Sequence, residues 1–195
     1  MSRISRNSLM TLEAYSRSRP EFRARVMAHK KNRTLHLGEH VTLIFEDELT
    51  IRYQIQEMLR AERVFEEAGI QDELDAYNPL VPDGSNWKAT MMIEYAEPAE
   101  RARMLARLIG IEDRVWVQVE GSARVYAIAD EDLERENEEK TSSVHFLRFE
   151  LERAMVQGLK RGVVLAIGID HPEYSATIGA VAAPVHASLV NDLRV

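Results

Sequence analysis

The stretch from Leu49 to Ala68 constrains the fold most, because its apolar residues recur at the spacing of an amphipathic helix. At about 100° per residue, one helical face would carry Ile51, Ile55, Met58, Leu59 and Phe65. Glu62 falls in the middle of that face, and Glu66 lies one turn further along its edge. A carboxylate that faces a core must be paired, protonated or bound to a cation, because burying it unpaired costs several kcal/mol. The pattern therefore predicts a helix over residues 49–68 with a buried polar site beside it.

The other patterns alternate between short strands and helices without the regular strand–helix repeat of a doubly wound sheet. The run from Val163 to Ile169 is apolar throughout, which predicts a strand in the interior of a sheet. These patterns predict an α+β fold, a single domain with a mostly antiparallel sheet and helices packed on it. The predicted helices cover residues 8–17, 20–33, 49–68, 70–77, 98–110, 152–160 and a segment from Pro184, and the predicted strands cover 34–37, 41–46, 87–95, 114–119, 123–129, 143–151, 163–169 and 174–181.

Charge is distributed unevenly along the chain. Residues 1–33 carry nine Lys/Arg and two Glu, a net charge of +7, whereas the remaining residues carry a net charge of −14. We interpret residues 1–33 as a basic helical N-terminal arm and residues 34–195 as the α+β core domain. The arm can lie against acidic residues of its own chain, dock onto an acidic partner or bind nucleic acid. Only Tyr15 and Phe22 are aromatic in the arm, and this scarcity of stacking residues disfavours nucleic acid.

Several classes of function are excluded by composition and motifs. The chain has no cysteine, so it cannot form disulfides, thiolate zinc sites or cysteine-ligated iron–sulfur clusters. The sequence contains no GxGxxG, GxxxxGK[ST], HExxH or GxSxG motif. No apolar run approaches the ~20 residues that a membrane helix needs. These observations predict a cytoplasmic protein without a membrane partner.

A metal site is the chemical hypothesis that the residues favour. His145 lies in the predicted strand 143–151, where it shares a face with Leu147 and Phe149. If the long helix crosses this strand, then Glu62, Glu66 and His145 meet, and carboxylate with imidazole suits Fe, Mn or Zn. The alternative is that His145 is a core histidine satisfied by hydrogen bonds. His171, at the end of the strand 163–169, is a second candidate ligand, with an ordinary polar turn as its alternative.

The acidic run that begins at Asp130 has a superficial likeness to a calcium-binding loop. It lacks the glycine at the sixth position and the spaced closing glutamate of such a loop. A solvated acidic face or a docking patch is the favoured interpretation.

The chain resembles an uncharacterised bacterial domain-of-unknown-function family over about residues 9–194. The resemblance is carried by the segments QIQEMLRAERVFEEAGIQDELDAYNPLVPDGSNWKATMMIEY, IADEDLERENEEKTSSVHFLRFEL and AIGIDHP. Members of that family are often encoded beside rubrerythrin-like proteins and iron–sulfur oxidoreductases. The resemblance therefore implies that the protein works in redox metabolism or in the response to peroxide stress. The family assigns no catalytic residues and no cofactor, so the resemblance transfers neither to this chain.

Two functions follow from these observations. The first is an accessory or interaction protein that docks onto a redox or oxidative-stress enzyme, its partner being an iron–sulfur oxidoreductase or a rubrerythrin-like protein. The second is a metal-binding protein or metalloenzyme that uses Glu62, Glu66 and His145. A hydrogen-bonding or basic partner at Glu62 would favour a structural role, whereas a converging histidine and carboxylate would favour metal chemistry.

Overall fold

The computed structural model describes residues 3–131 and 140–194, and within them six α-helices and nine strands follow one another. The helices are α1 Leu12–Lys30, α2 Glu48–Glu62, α3 Glu67–Tyr77, α4 Pro98–Arg107, α5 Arg153–Lys160 and α6 Ala183–Val190. The strands are β1 Thr34–Leu37, β2 Val41–Glu46, β3 Asn86–Ile93, β4 Val115–Val119, β5 Val125–Tyr126, β6 Ile128–Ala129, β7 Val144–Glu150, β8 Leu165–His171 and β9 Tyr174–Ile178. Within these ranges no helix has both the length and the apolar character needed to cross a membrane.

Two antiparallel sheets share one hydrophobic core. The five-stranded sheet has the order β1-β2-β3-β7-β6, and the four-stranded sheet has the order β5-β4-β8-β9. Buried side chains from both sheets, including Trp87 and Ile167, belong to the same cluster. The predicted α+β fold is confirmed, and β8 lies between β4 and β9 as its continuous apolar run predicted.

Alternation along β3 gives the five-stranded sheet an inner and an outer face. Trp87, Ala89 and Met91 are buried in the shared core, whereas Thr90 and Met92 point to the other side and are half-buried. The Trp87 ring contacts Phe45 of β2 edge to face, with 5.9 Å between ring centroids. Burying one large apolar side chain of this kind contributes about 1.5–3 kcal/mol. The inner face therefore stabilises the fold, and the outer face is left for α2 to cover.

Helix α2 is shorter than its apolar pattern predicted. Asp47 begins it, because the Asp47 carboxylate accepts the backbone N–H of Thr50 at 2.9 Å in a capping box. Arg63 ends it in the left-handed conformation, with φ 57° and ψ 38°. The prediction of one helix over residues 49–68 is wrong, since α2 stops at Glu62 and α3 begins at Glu67. Phe65, which the pattern placed on the buried face, is 72% exposed in the connection between them.

Helix α1 runs through Pro20, so the prediction of two helices separated at this proline is also wrong. Proline removes one backbone donor and usually kinks or breaks a helix. Packing on both sides of it outweighs that cost: Tyr15 lies before Pro20 and Phe22 and Val26 after it, all buried in one cluster with Tyr53 of α2. Tertiary contacts commonly decide helix stability over local propensity.

The basic arm lies against acidic residues of its own chain, which confirms that interpretation of its charge. Arg19 donates two hydrogen bonds of 2.7 Å to the carboxylate of Glu57 on α2, and the Tyr15 hydroxyl donates a third at 2.6 Å. The Arg19 hydrogen bonds lower the pKa of Glu57 to about 2. Arg6 also pairs with an acidic residue, Glu67 of α3, through its Nε atom alone, and both side chains are more exposed than those of Arg19 and Glu57.

Arg33 connects the arm to the opposite end of the chain. Its side chain is 1% exposed and donates to the backbone carbonyls of Phe45 at 2.8 Å and Glu46 at 3.0 Å. It also pairs with the carboxylate of Asp192 at 2.5 Å, and Asp47 lies 3.5 Å away. One guanidinium thus joins the residues after α1, the end of β2 and the residues after α6.

Asp192 is expected to make stability depend on pH. Burial raises its pKa to about 6 against the opposing effect of Arg33, and the charge of Asp47 adds to the increase. In the unfolded chain the pKa of an aspartate is about 3.9, so this contribution to stability is complete below about pH 4 and lost as the pH rises through about 6. Relative to Asp192→Asn, the wild-type protein should lose on the order of 2 kcal/mol between pH 4 and pH 7. Urea unfolding of both proteins at the two pH values measures this, and an equal pH dependence in both would contradict it.

Candidate metal centre

His145 is a fully buried residue of β7. It lies opposite Met91 of β3, and the alternation of β7 points it into the core between the two sheets. Its Nδ1 atom lies 2.5 Å from Oδ2 of Asp130, and its Nε2 atom lies 3.0 Å from the carbonyl oxygen of Ser142 and 2.8 Å from the hydroxyl of Thr141. A carbonyl oxygen only accepts, so the Nε2 atom carries a proton. Nδ1 is therefore the nitrogen that faces the carboxylates.

Asp130 comes directly after β6, the edge strand that pairs with β7. Its φ angle of 46° turns the chain sharply, a left-handed conformation that aspartate tolerates better than most residues. Its Oδ1 atom accepts the backbone N–H of Phe146 at 2.8 Å, and its own N–H donates to the carbonyl of Phe146. These bonds hold the Asp130 carboxylate so that Oδ2 is directed at His145.

Glu112 supplies the second carboxylate from a different element. It lies in the single 3₁₀ turn Ile111–Arg114, which Gly110 opens with a φ angle of 79°. Its side chain is buried, with Oε1 3.7 Å from Nδ1 of His145. The Thr141 hydroxyl donates to Oε2 at 3.3 Å. Thr141 thus lies between Glu112 and the Nε2 atom of His145 and contacts both.

The two carboxylates raise the pKa of His145. Burial alone would lower its pKa, but the hydrogen bond to Asp130 and the negative charges of Glu112 and Asp130 outweigh burial and raise it. These contacts favour the protonated imidazole, in which Nδ1 donates to Asp130. Loss of the Nδ1 proton would expose a lone pair beside two carboxylate oxygens.

The three side chains have the composition and spacing of a cation site. One ligand atom from each of Glu112, Asp130 and His145 lies within 4.8 Å of the other two. A first-row ion forms bonds of ~2.0–2.2 Å to imidazole nitrogen and carboxylate oxygen, so a single ion can contact all three after a small separation of Asp130 from His145. The Nε2–H···O=C bond to Ser142 is the outer contact that orients metal-binding histidines in proteins.

The structure does not bring the predicted ligands Glu62 and Glu66 to this histidine. Both are exposed, at the end of α2 and at the start of α3, so the prediction that Glu62 is buried is wrong. The physical reason is that His145 and helix α2 lie on opposite faces of the five-stranded sheet. His145 points to the inner core, whereas α2 lies over the outer face, where Val144 and Phe146 point.

Two of the three residues at the centre were missed by sequence reasoning. Glu112 lies in a short polar turn with no distinguishing pattern, and Asp130 was noted only as the first residue of an acidic run. Residues 132–139 of that run lie outside the described residues. Most of the predicted docking patch, and most of the segment with a likeness to a calcium-binding loop, lies in this range. His145 was found because a polar residue on an apolar face signals a buried contact, and the structure shows it buried with both ring nitrogens in polar contacts.

His171, the other candidate ligand, closes a turn. Its Nε2 atom lies 3.1 Å from the carbonyl of Ile109, and its Nδ1 atom accepts the backbone N–H of Glu173 at 3.2 Å. Both ring nitrogens are thus engaged by backbone groups at the end of β8, as the polar-turn interpretation predicted.

Comparison with known proteins places the chain in a family. The family described as protein of unknown function DUF3501 matches residues 3–193. A solved structure of a novel protein of unknown function from Burkholderia pseudomallei K96243 is 58% identical, with a TM-score of 0.95, and the match covers 99% of this chain and 100% of that one. No curated protein matches the chain. The chain belongs to the DUF3501 family of proteins of unknown function.

Proposed function

We propose that this protein binds a divalent first-row transition metal at Glu112, Asp130 and His145. The observation that carries the proposal is the convergence of one imidazole and two carboxylates, from three separate segments, within 4.8 Å in a buried position. A neutral imidazole with two carboxylates carries a charge of −2, which a divalent cation neutralises. Imidazole and carboxylate ligands together suit Mn, Fe and Zn.

The surroundings support a metal more than a plain ion pair. Each ligand is held from its far side: Asp130 by the N–H of Phe146, Glu112 by Thr141, and His145 by the carbonyl of Ser142. Outer contacts of this kind fix the orientation of metal ligands. Three protein ligands also leave coordination positions for water or a substrate, as in catalytic rather than structural metal sites.

Calorimetric titration with Mn²⁺, Zn²⁺ and, without oxygen, Fe²⁺ tests the proposal. We expect one ion per chain, bound at pH 7.5 in the wild-type protein and in a Glu62→Gln/Glu66→Gln double variant, which retains the buried centre. Equal binding in a His145→Ala variant that still folds, or no binding of any of the three ions, would contradict the proposal.

A second function, docking onto a redox enzyme, is supported by Phe65. This ring is 72% exposed beside the half-buried Val64, and the exposed residues next to it in the sequence are Glu62, Arg63 and Glu66. Phe65 lines a surface groove together with Leu59, Val64 and Ile70, and a contiguous apolar patch of this kind is typical of a protein contact. We infer a partner that offers an apolar pocket with a basic rim, and the family resemblance suggests a rubrerythrin-like protein or an iron–sulfur oxidoreductase of the same host.

Binding of the purified partners to immobilised protein tests the docking function. Phe65→Ser should weaken a true complex at least tenfold, because buried aromatic anchors carry much of the binding energy of an interface. Val164→Ser, which changes another exposed apolar side chain, is the matched control. If neither candidate partner binds, or if both variants bind as the wild-type protein does, the docking function is wrong.

A further inference from the structure

A cavity of about 260 Å³ lies between α2 and the outer face of the five-stranded sheet. The sheet contributes mostly apolar side chains, and Ile51 of α2 and Leu80 close the cavity from the other side; the apolar lining comprises Ile44, Ile51, Leu80, Met92, Val144 and Phe146. This volume lies just below the ~300–1,000 Å³ of typical ligand pockets, so it suits a small ligand. The cavity is distinct from the metal centre, because β7 points His145 to the opposite face.

Glu46 gives this apolar cavity one buried negative charge. Its side chain lines the cavity, and the residue is only 7% exposed. Its Oε1 atom accepts the Thr90 hydroxyl at 2.7 Å. Lys88 lies opposite Glu46 in the sheet, but within residues 3–131 and 140–194 neither Lys88 nor any other cation forms an ion pair with the carboxylate. A buried carboxylate without a cation is costly, because one neutral hydrogen bond does not replace its hydration.

We propose that this cavity binds a small molecule with an apolar body and a protonated amine. The amine would donate to Glu46 and supply the missing positive charge, while the apolar body would lie against Met92, Val144 and Phe146. Small-molecule sites in proteins commonly combine such an apolar lining with a few convergent polar groups. The proposal does not depend on a metal at Glu112, Asp130 and His145.

Lys30 makes the proposal more specific. It is half-buried and lines the same cavity, yet it does not pair with Glu46. An amine bound at Glu46 would lie in the same cavity as the positive charge of Lys30, and the two cations would repel each other. Removing the Lys30 charge should therefore strengthen the binding of an amine, whereas it would weaken a ligand that used Lys30 to hold a carboxylate.

The test compares three probes with the same apolar chain: hexylamine, 1-hexanol and hexanoate. Their binding to the full-length protein is measured by NMR titration, following the methyl signals of Ile44, Met92 and Val144. We expect hexylamine to bind at least tenfold more tightly than the other two. Glu46→Gln should remove that preference, and Lys30→Met should tighten hexylamine binding about threefold.

Glu94→Gln provides the matched control. Glu94 also accepts a threonine hydroxyl across the sheet, from Thr42 at 2.6 Å, but it is exposed and does not line the cavity. This variant should bind hexylamine as the wild-type protein does. No shifts with any probe, equal affinity for the three probes, or an unchanged amine preference in a folded Glu46→Gln variant would each overturn the proposal. Tighter binding of hexanoate would assign the cavity to an anion instead and would also overturn it.

Discussion

Arg33→Ala is expected to lower the free energy of unfolding by about 3–5 kcal/mol, the cost of removing one partner from a buried ion pair. The substitution leaves the carboxylate of Asp192 without the guanidinium that lies 2.5 Å away. It also removes the donors to the carbonyls of Phe45 and Glu46. Because Arg33 joins the end of α1 to the end of the chain, we expect both termini to become accessible to protease together.

Chemical unfolding of Arg33→Ala and Arg25→Ala measures this effect. Arg25 is an exposed cation of α1 that lies over the ring of Phe22, 5.0 Å from its centroid. Its loss should cost no more than about 1 kcal/mol, as is usual for exposed cations. If the two variants are equally stable, Arg33 does not have the structural role described.

Asp130→Asn is expected to lower the affinity for Mn²⁺ about a hundredfold. The amide keeps the shape of the side chain and an oxygen that can accept the N–H of Phe146, so the turn after β6 should persist. It removes one of the two negative charges that balance the metal, and amide oxygen is a weaker ligand than carboxylate for such ions. A hundredfold change corresponds to about 2.7 kcal/mol. Glu112→Gln, which alters the second carboxylate, should have an effect of similar size.

Competition with a coloured chelator measures these affinities, with circular dichroism as the check on folding. The Glu62→Gln/Glu66→Gln variant is the control, since it changes two exposed carboxylates and leaves the centre unaltered. Affinities for Mn²⁺ within threefold of the wild-type value in both folded centre variants would show that the ion binds elsewhere.

The sequence was sufficient for the fold class, and strict alternation in β3 and β7 was sufficient to assign their two faces. In β3, Trp87, Ala89 and Met91 are buried as the period of two predicted, and the same alternation placed His145 on the face of Leu147 and Phe149. The apolar stripe around Glu62 led to a wrong prediction of the helix end, and the cause is the local backbone conformation. Apolar periodicity continues past residue 62, but the left-handed conformation of Arg63 ends the helix, and periodicity carries no information about such a turn.

The candidate centre could not be assembled from the sequence, because its residues meet only in the folded chain. Glu112 comes from a 3₁₀ turn, Asp130 from the end of an edge strand and His145 from an interior strand, and the pairing of β6 with β7 brings the last two together. The structural role of Arg33 could not be predicted from the sequence either. It was counted among the charges of the basic arm, yet it is one of the most buried side chains of the protein.

Anomalous X-ray diffraction from crystals grown with Mn²⁺ tests the metal centre most directly. Data collected near the manganese absorption edge locate the ion independently of its ligands. We predict one strong peak between Nδ1 of His145 and the carboxylates of Glu112 and Asp130, with bonds of about 2.0–2.2 Å to all three side chains. Crystals that show no peak there, or a peak only at exposed carboxylates such as Glu62 and Glu66, would contradict the assignment of this centre.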